Sequence, residues 1–401
     1  MPLTSVRVLD FSHLLPGELC STILVDLGCN VTRVESLKPG LAQRLPPIVK
    51  GESLYYWSVH REKSRIALDL KQAAAIEIIM RIAKDVDVVI ENFRPGVMDR
   101  LGIGYSALQS VNPGLIYCSI SGYGQNSAWS QRPGHDLNFV AESGVLSQTA
   151  LPSGEPRVTG LLVSDYMSAT YAALSIVAAL YERQRTGGAG RHLDISMFES
   201  SLSTVNLLAT AWEYMGKPMR ESDPDYRDAM ANYNIYRCLD GNYLAVAPLE
   251  PQFWEEFCRR IERPDLITKY PLGPNLQMKE TLAQIIGSKT RAQWVEIFDN
   301  SNCCVSPVNN IQEAVNFPPA QERQVVCNLQ HPTLGSIPQL RTPTGFMERE
   351  RPGSNGDLGM VAPADPAVTT RRLLAELGYS DEDIKRLSAQ SVIPVSPEPQ
   401  Q

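Results

Sequence analysis

The first half of the chain alternates short, β-rich apolar runs with helical segments, and this limits the fold more than any other feature. Strands are predicted at 6–11, 31–35, 65–70, 86–91, 115–121 and 191–195, and helices at 17–27, 72–84 and 105–111. Parallel strands need crossover connections, and helices between strands supply them. The pattern therefore predicts a parallel, doubly wound α/β domain. Its first strand-to-helix turn reads Leu14-Leu15-Pro16-Gly17-Glu18. No G-x-G-x-x-G stands there, which argues against a nicotinamide or flavin dinucleotide. Pro16-Gly17 reads simply as a helix start.

After Ala209 the pattern changes. Residues 226–250 read as antiparallel strands around the turn Leu239-Asp240-Gly241-Asn242, and amphipathic helices follow at 252–261, 278–288 and 291–300. These features predict a large domain over 1–209 and a smaller α+β domain over 226–330. Residues 331–401 read as a Pro- and Gly-rich linker, then a helix pair at 367–377 and 381–388 that returns to the large domain. A chain of 401 residues, 43% hydrophobic, can fill two cores.

The formal net charge of -7 gives no global attraction to nucleic acid or anionic membrane, so a polyanionic ligand needs local Arg and Lys. The eight cysteines include no C-x-x-C pair, so neither a metal ligand set nor a disulfide framework is expected. No secretory signal precedes the first strand, the apolar stretch 169–181 is too short to span a bilayer, and no peroxisomal tripeptide closes the chain. A soluble protein of the cytoplasm is the expectation.

Several segments at strand ends or helix starts could carry chemistry. Arg94, in Glu91-Asn92-Phe93-Arg94-Pro95-Gly96, follows a buried strand and suits a phosphate. Arg33, Arg61, Lys63 and Arg65 are basic residues of similar placing. Gly122 and Gly124, flanking Tyr123, let backbone approach a ligand or simply form a tight loop. Asp136 is a candidate N-cap, with His135 just outside its helix. Asp165 precedes a long helical pattern at 167–185, as a helix cap or as an acid with apolar neighbours. Glu250 lies between Pro248 and Pro251, where it can complement a helix dipole or hold a fixed place in a site.

In order and spacing these segments resemble the family III CoA-transferase superfamily (CaiB/BaiF), and within it the 2-methylacyl-CoA racemases. The likeness runs through Val8-Leu9-Asp10-Phe11-Ser12, Pro16-Gly17, Arg33-Val34-Glu35, Asn92-Phe93-Arg94-Pro95-Gly96, Ser121-Gly122-Tyr123-Gly124-Gln125, Gly134-His135-Asp136, Asp165 and Leu377-Gly378-Tyr379. The resemblance implies an interlocked homodimer, a Rossmann-like large domain and a small domain. It implies an acyl-CoA substrate, with no cofactor beyond coenzyme A itself. Arg33, Arg61, Arg94, Gly122, Tyr123, Gly124 and Asp136 would line the CoA. His135 and Asp165 would exchange the α-proton, with Glu250 orienting His135 and a backbone N–H of Asp136 or Asp165 holding the enolate. In the transferases of the superfamily the aspartate matching Asp165 is instead a nucleophile. Residues 226–234 replace a run typical of the racemases, which bears on the acyl pocket.

Overall fold

The computed structural model describes residues 1–149, 155–216, 229–345 and 360–395. Tyr226, Arg227 and Asp228 of the acyl-pocket stretch lie outside these. The chain divides into two compact units, one of Met1–Ser143, Leu161–Thr204 and Gln321–Gln401, the other of Gly144–Gly160 and Val205–Ala320. The second unit is thus an insertion in two pieces. It takes in residues 144–160, expected in the large domain, and gives up 321–330, expected in the small one.

The strands of the first unit are β1 (Arg7–Asp10), β2 (Asn30–Glu35), a small hairpin of β3 (Ile48–Val49) and β4 (Glu52–Ser53), then β5 (Ser64–Ala67), β6 (Val88–Glu91), β7 (Ile116–Ser121) and β8 (Arg191–Ser196). Six of them form one parallel sheet in the order β5-β2-β1-β6-β7-β8. The strands are short, and the central β6 and β7 are buried along their whole length, as a parallel sheet covered by helices requires, while the edge strand β8 is largely exposed. Its helices are α1 (Leu15–Asp26), α2 (Leu54–Ser58), α3 (Ala73–Ala83), α4 (Val97–Arg100), α5 (Tyr105–Val111), α6 (Asp136–Glu142), α7 (Val163–Thr186) and α8 (Met197–Ser203).

One sheet face packs α3 and α5, through Leu9, Val89 and Tyr117 against Ile78, Ile82 and Leu108. The other packs α1 and α7, through Val8, Ile90 and Cys118 against Leu24, Ala172 and Ile176. The helix α7 is 24 residues, longer than the apolar run suggested, and by length and composition alone could cross a membrane. Its inner face instead carries Ala169, Ala172, Ala173 and Ala179, all buried in the core. Small side chains there let the α7 backbone come close to α1.

Past residue 320 the chain re-enters the first unit. A hairpin of Val326–His331 and Gly335–Leu340 replaces part of the expected linker. The helices Pro366–Glu376 and Asp381–Ala389 follow, and Leu374, Ile384 and Leu387 join the core on the α3 face.

The second unit carries α9 (Asn206–Met215), β9 (Asn234–Arg237), β10 (Tyr243–Val246), α10 (Pro251–Arg260), α11 (Leu276–Ile286), α12 (Arg291–Phe298) and β11 (Val305–Pro307). The strands form an antiparallel sheet in the order β11-β10-β9, with the expected turn joining β9 to β10. Trp254, Phe257, Trp294 and Phe298 build its core around Leu244 and Val246.

The α1–α7 contact sets one expected outcome. Ala172 is fully buried, so Ala172→Leu overfills the interface and should destabilise the fold by about 1–3 kcal/mol, read as a lower midpoint in urea.

Candidate active site

The sheet changes direction of winding between β1 and β6, where chains leave toward opposite edges. Ligands of open α/β sheets bind outside the carboxyl ends of strands at such a point. Here the two exits are stitched together. The Asn92 Oδ1 accepts from the His13 N–H at 2.7 Å, and its Nδ2 donates to the His13 carbonyl at 2.5 Å. Leu14 then enters α1 at φ 67°, a left-handed value that a leucine adopts only at a cost. A cavity beside this turn is lined by His13, Leu14, Arg33, Ser36, Gly40 and Tyr56.

Beneath it lies a buried lattice of charge. The Arg33 guanidinium bonds Glu18 at 2.8 Å and Glu35 at 3.3 Å, with Asp10 at 3.9 Å. Burial alone would lower its pKa, but Glu18 and Asp10 raise it further, so Arg33 stays charged. Lys63 donates to the Glu18 carbonyl at 2.7 Å and to Ser21 Oγ at 2.8 Å. Burial pulls the Lys63 pKa down to about 7 against the opposing pull of Asp10. Arg61 is likewise buried, and its guanidinium is paired with Asp26, which also accepts the Thr342 N–H at 2.9 Å.

Arg61 and Arg33 were expected to contact the CoA. The structure turns the donors of Arg61 inward onto Asp26, and those of Arg33 onto carboxylates, although Arg33 still lines the cavity. Arg94 differs: it is exposed after β6, and no carboxylate among the described residues pairs with it.

The loop after β7 has a packing reason for its glycines. A Cβ on Gly122 would come within 2.9 Å of the Phe139 ring, and one on Gly134 within 2.7 Å. Gly124 sits at φ +81°, and the next residue, Gln125, donates its N–H to Asp194 at 2.8 Å. Tyr123 is buried, with its hydroxyl on Glu142 Oε2 at 2.7 Å.

Phe139 anchors α6, and α6 positions the residues singled out for chemistry. His135, not Asp136, is its N-cap: the His135 N–H donates to Asn138 Oδ1 at 3.0 Å, and the Asn138 N–H returns to the His135 carbonyl at 2.8 Å. His135 is exposed. Asp136 is buried, and its carboxylate caps a different helix. Its Oδ1 accepts the Ser164 N–H at 2.7 Å and the Asp165 N–H at 3.2 Å, in the first turn of α7. Asp165 is therefore inside α7, whose N-cap is Leu162, and is not itself the cap. Its own N–H is taken by Asp136, so of the two backbone groups proposed for an enolate only that of Asp136 remains.

Asp136 thus ties the start of α6 to the start of α7 and brings His135 and Asp165 into one neighbourhood. Burial, then the nearby Asp136 charge, pushes the Asp165 carboxyl up to about 7. Such a group both gives and takes protons at neutral pH. Burial also pushes up the Asp136 carboxyl, against the two amide hydrogen bonds that hold it down.

Glu250 lies in the second unit, exposed, as the N-cap residue of α10 without a side-chain capping bond. One residue the sequence reading missed is Tyr55. Its hydroxyl pKa is raised by burial and by the charges of Glu18 and Asp165, which places it beside the site. In sequence, Tyr55-Tyr56-Trp57 reads only as an aromatic core run. Among the described residues no cluster of His, Cys, Asp and Glu could hold a metal ion.

Two outcomes are expected. Arg61→Ala leaves Asp26 buried without its cation and should cost about 3–5 kcal/mol in urea unfolding, as broken buried pairs do. Asp165 gives a pH signature. Its folded pKa of about 7 exceeds that of an unfolded aspartate, roughly 4, so between them the native state holds a proton the unfolded chain has lost. Stability falls as pH rises through that window. Asp165→Asn should match the wild-type urea midpoint near pH 4 and exceed it near pH 8.

Comparison with known proteins gives the family. The profile of CoA-transferase family III matches residues 3–356. The alpha-methylacyl-CoA racemase of Homo sapiens is 30% identical over 407 residues, covering 98% of each chain. The acetyl-CoA:oxalate CoA-transferase of Acetobacter aceti is 32% identical over 335 residues, covering 81% of this chain and 85% of that one. A crystal structure of a CaiB/BaiF family protein from Brucella suis superposes with a TM-score of 0.79 at 25% identity, over 94% of this chain and 99% of that one. The chain belongs to CoA-transferase family III, the CaiB/BaiF enzymes.

Proposed function

We propose that the protein is a racemase or epimerase of 2-methylacyl-CoA-type thioesters, working by 1,1-proton transfer through an enolate. The observation that carries this is the Asp136 carboxylate, which ties the start of α7, with Asp165, to the start of α6, with His135. A nucleophilic carboxylate works best fully ionised, whereas one held near pKa 7 is matched to proton transfer at neutral pH. His135, exposed at the neighbouring helix start, supplies the second group that inversion needs. One takes the α-proton from one face and the other returns one to the opposite face. The Asp136 N–H, at the first position of α6, is the donor for the enolate oxygen. Glu250 orients His135 in this reading.

The CoA portion fits the cavity at His13, Leu14 and Tyr56, with Arg94 as the phosphate partner. The homodimer expected from the family finds support in apolar side chains left exposed. Tyr166, Leu174 and Tyr181 line the outer face of α7, and α9 exposes Leu207, Trp212 and Tyr214.

The second reading is a CoA-transferase, in which Asp165 attacks the thioester and carries CoA. The transferase relative of Acetobacter aceti, at 32% identity, favours it.

Incubation with a 2-methylacyl-CoA in deuterated water separates the two. Deuterium should enter the α-carbon without any acceptor acid, and His135→Ala should slow this by roughly 10²–10⁴-fold, the usual worth of a general acid or base. Absence of deuterium, with CoA passed to a free carboxylic acid and lost in Asp165→Ala, would establish the transferase.

A further inference from the structure

We propose that the first unit holds a second binding site, for a small carboxylate, on the sheet face opposite α7. Its location follows from strand alternation. Ile116, Cys118 and Ile120 of β7 point into the core shared with α7, so Tyr117 and Ser119 point the other way. There they line a cavity of about 170 Å³ with Glu91 of β6, His192 of β8, and Arg94 and Gln125. Tyr105 of α5 forms a wall and stacks on His192, with ring centroids 5.0 Å apart.

The cavity is built with donors that nothing in the chain uses. Tyr117 is 2% exposed, and its hydroxyl has no hydrogen-bond partner. The Gln125 Nε2 is also buried without one. Buried polar groups are rarely left so, and an unpaired one is costly. Ser119 Oγ is already engaged, 2.9 Å from His192 Nε2. Glu91 accepts the Phe93 N–H at 2.8 Å.

A ligand must therefore bring acceptors. The Arg94 guanidinium lines the same cavity and supplies a positive charge, so a carboxylate satisfies donors and charge together. Asp99 and Glu91 also line the cavity, so the carboxylate of the ligand must take its place at Arg94, Tyr117 and Gln125. Burial pushes the Glu91 carboxyl up to about 7, so it is largely protonated near pH 6, and burial lowers the His192 pKa. The space suits a molecule of acetate or malonate size. The proposed proton transfer uses none of these side chains, and Arg94, which that reading also gives to the CoA phosphate, is the one group the two sites share; the site stands whichever reaction the enzyme performs.

The test uses difluoroacetate as probe, titrated into the full-length protein near pH 6 and followed by fluorine NMR. Saturable binding is expected, weakened about fivefold by Tyr117→Phe, the worth of one hydrogen bond. It should be weakened to a similar degree by Gln125→Leu, which removes the second unpaired donor, while racemase or transferase turnover persists in both variants. Should either variant fail to fold, wild-type crystals soaked in the same probe should show it against Tyr117 and Gln125. The proposal is overturned by absence of saturable binding, by binding that both variants retain, by binding at crystal concentration only, or by density at another place.

Discussion

The buried position of Arg33 is the constraint around which the first unit is arranged. A guanidinium removed from water is tolerable only among carboxylates, and Glu18, Glu35 and Asp10 provide them from α1, β2 and β1. Those partners fix where α1 must begin relative to the sheet. Pro16-Gly17 fits this start because a Cβ at Gly17 would lie 2.2 Å from that of Ser12. The strained turn at Leu14 and the cavity beside it are what remains once the ion lattice and the close helix start are both satisfied.

A second carboxylate does comparable service at the start of α7. Asp136 is one residue after His135 in the chain, and its side chain holds the amide of Asp165. A capping bond is normally local, made by the residue just before its helix. Here it reaches from α6 to α7, so it couples two helix starts that the sequence separates by 28 residues between Asp136 and Ser164. The same charge that holds the backbone also discourages ionisation of Asp165. Asp136 thus adds to burial in raising the proton affinity of the residue it positions.

Much of this could be read in the sequence, and the failures have physical reasons. All six strands of the parallel sheet were legible because buried strands between helices leave a strong pattern. The hairpin at Val326–Leu340 was not, because Pro338 and Gly335 argue for a linker. Pro338 is tolerated because its strand lies at the edge of its small sheet, where a missing donor breaks no ladder. The basic residues were indistinguishable by position alone. Arg33, Arg61 and Arg94 all follow or border strands, and only the carboxylates folded beside them separate internal partners from a free guanidinium. Asp165 looked like a cap because helix starts favour aspartate, and no local signal says that the cap comes from Asp136. Family resemblance, carried by motif order, singled out His135 and Asp165 where propensity alone could not.

The return of the chain to its first unit bears on how the protein is made. The edge strand β5 is closed by residues near the far end: the Ala67 N–H donates to Thr370 Oγ1 at 3.0 Å, and Thr369 Oγ1 donates to the Arg65 carbonyl. The Asp69 N–H reaches the Val392 carbonyl at 3.0 Å. On the ribosome, synthesised from its N-terminus, this sheet waits with one edge open while more than 300 further residues are added, since Ala67 and Thr370 are 303 apart. An open parallel edge is a template for pairing with other chains. Final closure of the large unit thus waits for residues 369–392, and a nascent chain that stops short of them exposes an aggregation-prone edge that chaperones must cover.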